Sequence, residues 1–251
     1  KELILVAQDT TRYGQDLYGK IRLTELLDEL CKIEKLHWIR LLYCYPERMT
    51  DELIETIASQ PKIVKYIEIP IQHCNKRVLR SMHRPGDADG LRTLFKKLRE
   101  RIPNVTLRTT VIAGMPGETE EEFTELAEFL DEIKFDRLGA FAYSQEEDTA
   151  AADYPDQLDD ETKERRAEII MEQQMNRMVE ANTAKIGQEI EVLCEGFDRY
   201  ADCFFGRSAA DAPDIDAKIF FTHKDKKPHQ GDFVTVKIND VMDLDLLGEM
   251  V

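Results

Sequence analysis

Apolar residues in the first 150 positions follow two alternating rhythms. Short runs at Leu3–Ala7, Ile39–Tyr43, Val64–Pro70, Leu107–Ala113 and Arg137–Tyr143 have the length of buried strands. Between them LTELLDELCKIEK, TDELIETIAS, DADGLRTLFKKLRER and ETEEEFTELAEFLDEI place apolar residues at helical spacing. Strand and helix in alternation predict parallel strands joined by right-handed crossovers. Each strand run ends in polar or turn residues: Gln8-Asp9-Thr10, Tyr45-Pro46-Glu47, Gln72-His73, Gly114 to Glu118, and Tyr143-Ser144-Gln145. Polar groups gathered at the C-terminal ends of all strands are the habit of a βα barrel, whereas an open sheet uses mainly its switch point. Five steps are too few to close an eight-fold barrel, so residues 1–155 are expected to form an α/β fold, an incomplete parallel (β/α) barrel.

The rhythm then changes. A polar helix is predicted from about Asp159 to Ala184, making 156–186 a connecting helix. From Gln188 the segments EIEVLCE, DCFFGRS, AKIFFT, DFVTVKI and DLLGEMV alternate in short strands, which predicts a small antiparallel β-barrel over 187–251.

The stretch TLRTTVIAGMPGETEEEF at 106–123 reads as strand, tight turn and helix. Thr119 followed by Glu122 is a capping box that starts the helix just beyond Gly114-Met115-Pro116-Gly117-Glu118. Small residues at a strand end let backbone approach a nucleobase or ribose, although the same residues punctuate ordinary loops. Arg108 lies two positions before Thr110, so both project from one strand face. Its planar fork suits a ligand carboxylate or a structural bridge to Glu68, and the residues alone leave both open. His73 by itself reads as a packing histidine, Tyr13, Tyr43 and Tyr45 as cleft lining or caps, and no nucleophile triad is legible.

Charge narrows the partners. Across 251 residues, 34 Lys and Arg against 50 Asp and Glu give a net charge of −16, which opposes association with nucleic acid or anionic membrane. Cys31, Cys44, Cys74, Cys194 and Cys203 are odd in number, contain no CxxC and show no metal-ligand spacing, so no metal site is expected and a reducing cytoplasm fits them. No apolar run reaches the roughly 18 residues of a membrane span.

Five long stretches carry a family resemblance: ELILVAQDTTRYGQDLYGK (2–20), IRLLYCYPERMTDELIETIA (39–58), IPIQHCNKRVLRSMHR (69–84), LRTTVIAGMPGETEEEF (107–123) and FDRLGAFAYSQEEDTAA (135–151). The chain resembles the methylthiotransferase branch of the radical S-adenosylmethionine enzymes, most closely the RimO type, and GRSAADAPDID at 206–216 resembles that family's C-terminal TRAM barrel, an OB-like fold. The resemblance implies S-adenosylmethionine bound with the Gly114–Glu118 backbone, including Pro116, near the adenine. It implies Arg108 and Thr110 facing the methionyl or ribose part, and Gln8, Asp9, Gln72 and Tyr143 lining the remaining mouth. The implied reaction is reductive cleavage of S-adenosylmethionine at a four-iron four-sulfur cluster, hydrogen abstraction by the resulting deoxyadenosyl radical, and insertion of a methylthio group.

Departures accompany the match. Asp148, Ala150 and Ala217 stand where the family usually has Gly, Pro and Gly, and the CxxxCxxC loop and the ligands of the second cluster are absent. The chain is therefore expected to be a fragment that begins one strand after the cluster loop, itself inactive. The RimO type modifies an aspartate of small-subunit ribosomal protein S twelve, and the sister MiaB type modifies an adenosine of tRNA. Residues 187–251 carry 7 Lys and Arg against 14 Asp and Glu, a poor RNA reader and a suitable dock for a basic ribosomal protein. Asp211, Asp214 and Asp216 are the expected docking carboxylates, with Lys224-Asp225-Lys226-Lys227 as a small opposing basic loop. A non-catalytic binding module with the same barrel is the second class. An aldolase-like barrel is the third, and it lacks the strand-end lysine it needs.

Overall fold

The computed structural model describes residues 1–223 and 227–251, so Lys224, Asp225 and Lys226 of the basic loop lie outside the described residues. Two compact units are present, residues 2–174 and residues 175–251 with residue 1. In the first, strands β1 (Glu2–Leu5), β2 (Trp38–Leu41), β3 (Ile63–Glu68), β4 (Thr106–Ala113) and β5 (Arg137–Ala142) form one sheet in sequence order, every neighbouring pair parallel. The helices are α1 (Gln15–Tyr18), α2 (Leu23–Cys31), α3 (Asp51–Ser59), α4 (Lys76–Ser81), α5 (Ala88–Arg101), α6 (Glu120–Ile133) and α7 (Asp160–Thr183).

Side-chain alternation along β4 sets two unlike faces. Leu107, Val111 and Ala113 join Ile39, Leu41, Ile67, Phe95, Leu126 and Phe129 in the main core, where each apolar side chain removed from water contributes about 1.5–3 kcal/mol. The other face is polar. Arg40 pairs with Glu2 at 2.9 Å and lies over the Tyr66 ring, and Arg108 pairs with Glu68 at 2.5 Å. Helix starts follow the sequence signals: Thr50 accepts from Leu53 N–H, Asp87 from Gly90 N–H, and Thr119 and Glu122 complete both halves of the capping box.

The second unit contains a closed barrel of β6 (Glu189–Asp198), β7 (Cys203–Ser208), β8 (Ile219–Thr222), β9 (Phe233–Met242) and β10 (Asp245–Met250), in the order β10-β8-β7-β6-β9. The small barrel after the parallel sheet is as expected, with one correction: it closes through a parallel β8–β10 pair, so it is not wholly antiparallel. Because β9 and β10 form a hairpin that pairs with β6 on one side, β10 can meet β8 on the other only in the parallel sense. Val192, Cys194, Phe204, Ile219, Phe221, Val236, Ile238 and Leu246 fill the interior.

The helix expected as a connector contributes residues to each of the two units. Ala167 and Ile170 sink into the first unit's core and Gln174 donates to the Phe135 carbonyl at 3.1 Å, while Asn182 donates to the Leu244 carbonyl of the second unit at 2.8 Å.

Gly206 is where the small barrel tolerates no side chain, since a Cβ there would strike the Leu193 carbonyl oxygen across the β6–β7 pair. Gly206→Ala is expected to lower the stability of the barrel by roughly 1–3 kcal/mol, the usual cost of forced overpacking. Urea unfolding followed by far-ultraviolet circular dichroism measures it, and an unshifted midpoint would show that the strand pair relaxes freely.

Candidate functional site

The turn between β4 and α6 is built around one buried carboxylate. Gly114 and Gly117 take φ of 81° and 70°, which folds Glu118 back under the turn. Its Oε2 accepts from Gly114 N–H at 3.0 Å and Met115 N–H at 3.3 Å, and Oε1 accepts from Arg166 of α7 at 2.8 Å. Burial pushes the Glu118 carboxyl above the usual carboxylate range, opposed by the two amides and Arg166. A Cβ on residue 114 would collide with Lys163 of α7, so only glycine lets helix and turn meet. Arg77 donates to the Gly117 carbonyl at 2.6 Å and binds Glu122, fastening the far side of the turn.

His73 sits beneath this network, fully buried. Its Nδ1 accepts from Asn75 N–H at 2.9 Å, which leaves the proton on Nε2, 3.7 Å from Glu118 Oε2. Desolvation lowers the His73 pKa to about 4, with Glu122 opposing and Arg77 and Arg166 adding to the fall.

The expected site residues divide along the C-terminal edge of the sheet. Gln72, at φ 66°, joins β4 through its backbone, donating to the Thr110 carbonyl and accepting from Ile112 N–H, both at 2.9 Å. Its Oε1 is buried without a hydrogen-bond partner, as is the Tyr143 hydroxyl at the end of β5. Thr110 is half-buried on the same strand face as Arg108. Arg108 takes the structural partner offered by the sequence, Glu68, whose other oxygen accepts from Tyr43 N–H at 3.2 Å. Pro116 is buried within the turn, and the amides of Gly114 and Met115 are already taken by Glu118.

Gln8 and Asp9 stand at the β1 edge instead, on a cleft of about 650 Å³ whose lining also includes Arg12, Tyr13, Tyr45 and Arg48. Asp9 is occupied: it accepts from Thr11 N–H at 3.0 Å and pairs with Arg48 at 2.9 Å. Tyr143 borders a separate hollow of about 430 Å³ at the β5 edge with Ser144, Gln145, Asp160 and Lys163. Lys163 and Arg166 escaped the sequence reading because both lie in a polar helix. The signal was their position beside Ala167 and Ile170, the helix's buried stripe.

The three carboxylates of the acidic loop differ in exposure. Asp211 is buried and accepts from Ser208 Oγ at 2.6 Å, and Asp216 accepts from Ala212 N–H at 2.8 Å. A tight loop leaves amides and hydroxyls without partners, and these carboxylates turn inward to satisfy them. Asp214 alone of the three is exposed, at φ 66°.

A parallel sheet with its polar groups and glycine turn at one edge defines a class of protein, and comparison with known proteins agrees. Residues 4–130 match the radical SAM superfamily and residues 186–251 the TRAM domain; the chain belongs to the radical SAM superfamily. It is 49% identical over 251 residues to "Ribosomal protein uS12 methylthiotransferase RimO" of Desulforamulus reducens, covering 100% of this chain and 56% of that protein. It is 50% identical over 249 residues to the protein of the same name from Clostridium novyi, covering 99% of this chain and 55% of that protein. The RimO-type resemblance is thus borne out, and the chain spans about half the length of the curated relatives it matches. Coproporphyrinogen III oxidase (HemN) from Escherichia coli shares the fold, with a TM-score of 0.52 at 14% identity over 74% of this chain and 51% of that one.

The buried imidazole gives a pH signature. Folded His73 resists the proton that an unfolded histidine takes near pH 6.5, so stability is full above that value and falls as pH drops through 6.5 toward about 4, by up to about 3 kcal/mol. Urea midpoints across that range check it, and His73→Leu is expected to flatten the slope; an unchanged slope would assign the acid sensitivity to other groups.

Proposed function

We propose that the longer protein to which this chain belongs is a cytoplasmic radical S-adenosylmethionine methylthiotransferase that modifies an aspartate of the small-subunit ribosomal protein uS12. The observation that carries this reading is similarity at 45–50% identity, along essentially the whole chain, to relatives named for that activity. The residue chemistry agrees: a net-acidic C-terminal barrel suits a basic protein better than RNA.

The chain's own groups fit the cosubstrate. Gln72 Oε1 and the Tyr143 hydroxyl are buried polar atoms without partners, which a ligand amine, hydroxyl or ring nitrogen would satisfy. Thr110 and the Arg108–Glu68 pair lie on the adjoining strand face, and the Gly114–Glu118 turn, including Pro116, shapes the rim. Because Glu118 already uses the amides at 114 and 115, that turn contributes shape more than donors. Among the described residues no three His, Cys, Asp or Glu side chains gather as a metal site, and the family's two four-iron four-sulfur clusters are assigned to the rest of the longer protein. Burial also pushes the Cys44 and Cys74 thiols up to about 12. Bound elsewhere in the longer protein, a cluster supplies the electron that cleaves S-adenosylmethionine.

Reconstituted longer protein incubated with S-adenosylmethionine, reductant and uS12 is expected to add one methylthio group to an aspartate, read by peptide mass spectrometry. Modification of a tRNA adenosine instead would transfer the protein to the MiaB type. In the same protein Tyr143→Phe and Gln72→Leu should each weaken S-adenosylmethionine binding about 5- to 10-fold, the size of one lost hydrogen bond. Calorimetry showing unchanged affinity would remove those residues from the cosubstrate site.

A further inference from the structure

The cleft at the β1 edge contains a cation that the network described so far does not use. After β1 the chain makes a short helical turn, Thr10–Arg12, whose start is capped by Asp9. The second Asp9 oxygen pairs with Arg48 at 2.9 Å, so one carboxylate and one guanidinium of the cleft neutralise each other. Arg12 is different. It is exposed and lines the same cleft of about 650 Å³, and the partner it has is neutral: Nε donates to Gln15 Oε1 at 3.0 Å. No acidic side chain pairs with it among the described residues. A guanidinium offers five N–H donors in a planar fork, so Gln15 steadies one edge and leaves the paired outer nitrogens for an incoming anion.

The geometry points to Arg12 as the residue that grips the side-chain carboxylate of the substrate's aspartate. The inference rests on the proposed function, in which the substrate is a protein aspartate. That side chain has a single CH₂ between backbone and carboxylate, so a fork holding both carboxylate oxygens also fixes the one methylene where a methylthio group can enter. The rest of the cleft suits such a segment. Tyr13, Leu17 and Tyr45 provide apolar walls, and Leu17 is 67% exposed, a large apolar surface open to a partner. Asp16, at the start of α1, supplies an anion for a basic residue next to the aspartate. With Asp9 and Arg48 closed on each other, the open charges are one cation and one anion, which matches a carboxylate flanked by a base. A phosphate would also suit a guanidinium, but Asp16 and the chain's net charge of −16 oppose a polyanion.

The test uses the longer protein, uS12, an Asn-for-Asp version of uS12 at the target position, and Arg12→Gln and Arg12→Lys variants. Arg12→Gln is expected to lower kcat/KM for uS12 by about 10- to 100-fold, mostly through KM, and to shrink the preference for Asp over Asn, while Arg12→Lys recovers part of both. A fluorescent aspartate-bearing uS12 peptide, titrated without clusters, should show the same ordering of affinities. If wild type modifies uS12 while Arg12→Gln keeps its KM, its Asp preference and its peptide affinity, the inference is overturned. Equal losses in both variants with a lowered melting temperature would also overturn it, making Arg12 a structural part of its turn. Wild type that modifies tRNA and ignores uS12 defeats the functional reading itself, an outcome visible before any variant is made.

Discussion

A carboxylate with no solvent exposure must be matched by donors, and Glu118 imposes that demand on the parallel-sheet unit. Its two oxygens collect the first amides of the β4–α6 turn and the guanidinium of Arg166, which lies 48 residues further along the chain. Strand end, turn, α6 start and α7 are therefore held by one charge. Removing a partner from such a buried pair costs about 3–5 kcal/mol, whereas exposed pairs such as Arg92–Glu132 are worth about 0–1 kcal/mol. The turn's shape is thus set by the buried network and not by the many surface ion pairs. The close approach of Gly114 to Lys163 follows, because α7 can be drawn onto the turn only where no side chain intervenes.

The same rule governs the polar face of the sheet. Glu2 with Arg40 and Glu68 with Arg108 place charge where an ordinary sheet would pack apolar groups, and each is neutralised by its neighbour strand. The result is a polar floor with little net charge, which admits a polar ligand without fixing its sign. At the rim, Gln72 and Tyr143 keep buried polar atoms without hydrogen-bond partners on one side, and exposed Arg12 donates to neutral Gln15 on the other.

Much of this fold was legible because periodicity reports burial. All five apolar runs became parallel strands, with bounds moved by a few residues, and the Thr119–Glu122 box formed as written. Arg108 was legible as a charge needing a partner, and Glu68 proved to be it. What the sequence concealed were long-range pairings. Nothing local distinguishes Arg166, which serves Glu118, from Arg165 beside it, which is exposed; only the buried stripe of α7 separates them. Gln8 and Asp9 were legible as strand-end polar groups, but the sheet's width, which sets them at the opposite edge from Tyr143, arises from strand order and not from any local pattern.

The acidic loop of the small barrel shows why charge in a sequence is a poor guide to charge on a surface. Asp211 and Asp216 spend their carboxylates on loop hydroxyl and amide donors, since an unsatisfied buried donor costs about 1–3 kcal/mol. Asp214 is exposed there and Asp216 is half-buried. The count of 14 acidic against 7 basic residues in 187–251 is therefore not a measure of a patch in this loop. Net negative charge speeds the approach of a basic partner, an effect that weakens with salt, but it carries no register. Register must come from contacts that match individual groups, which a net charge spread over a barrel does not supply.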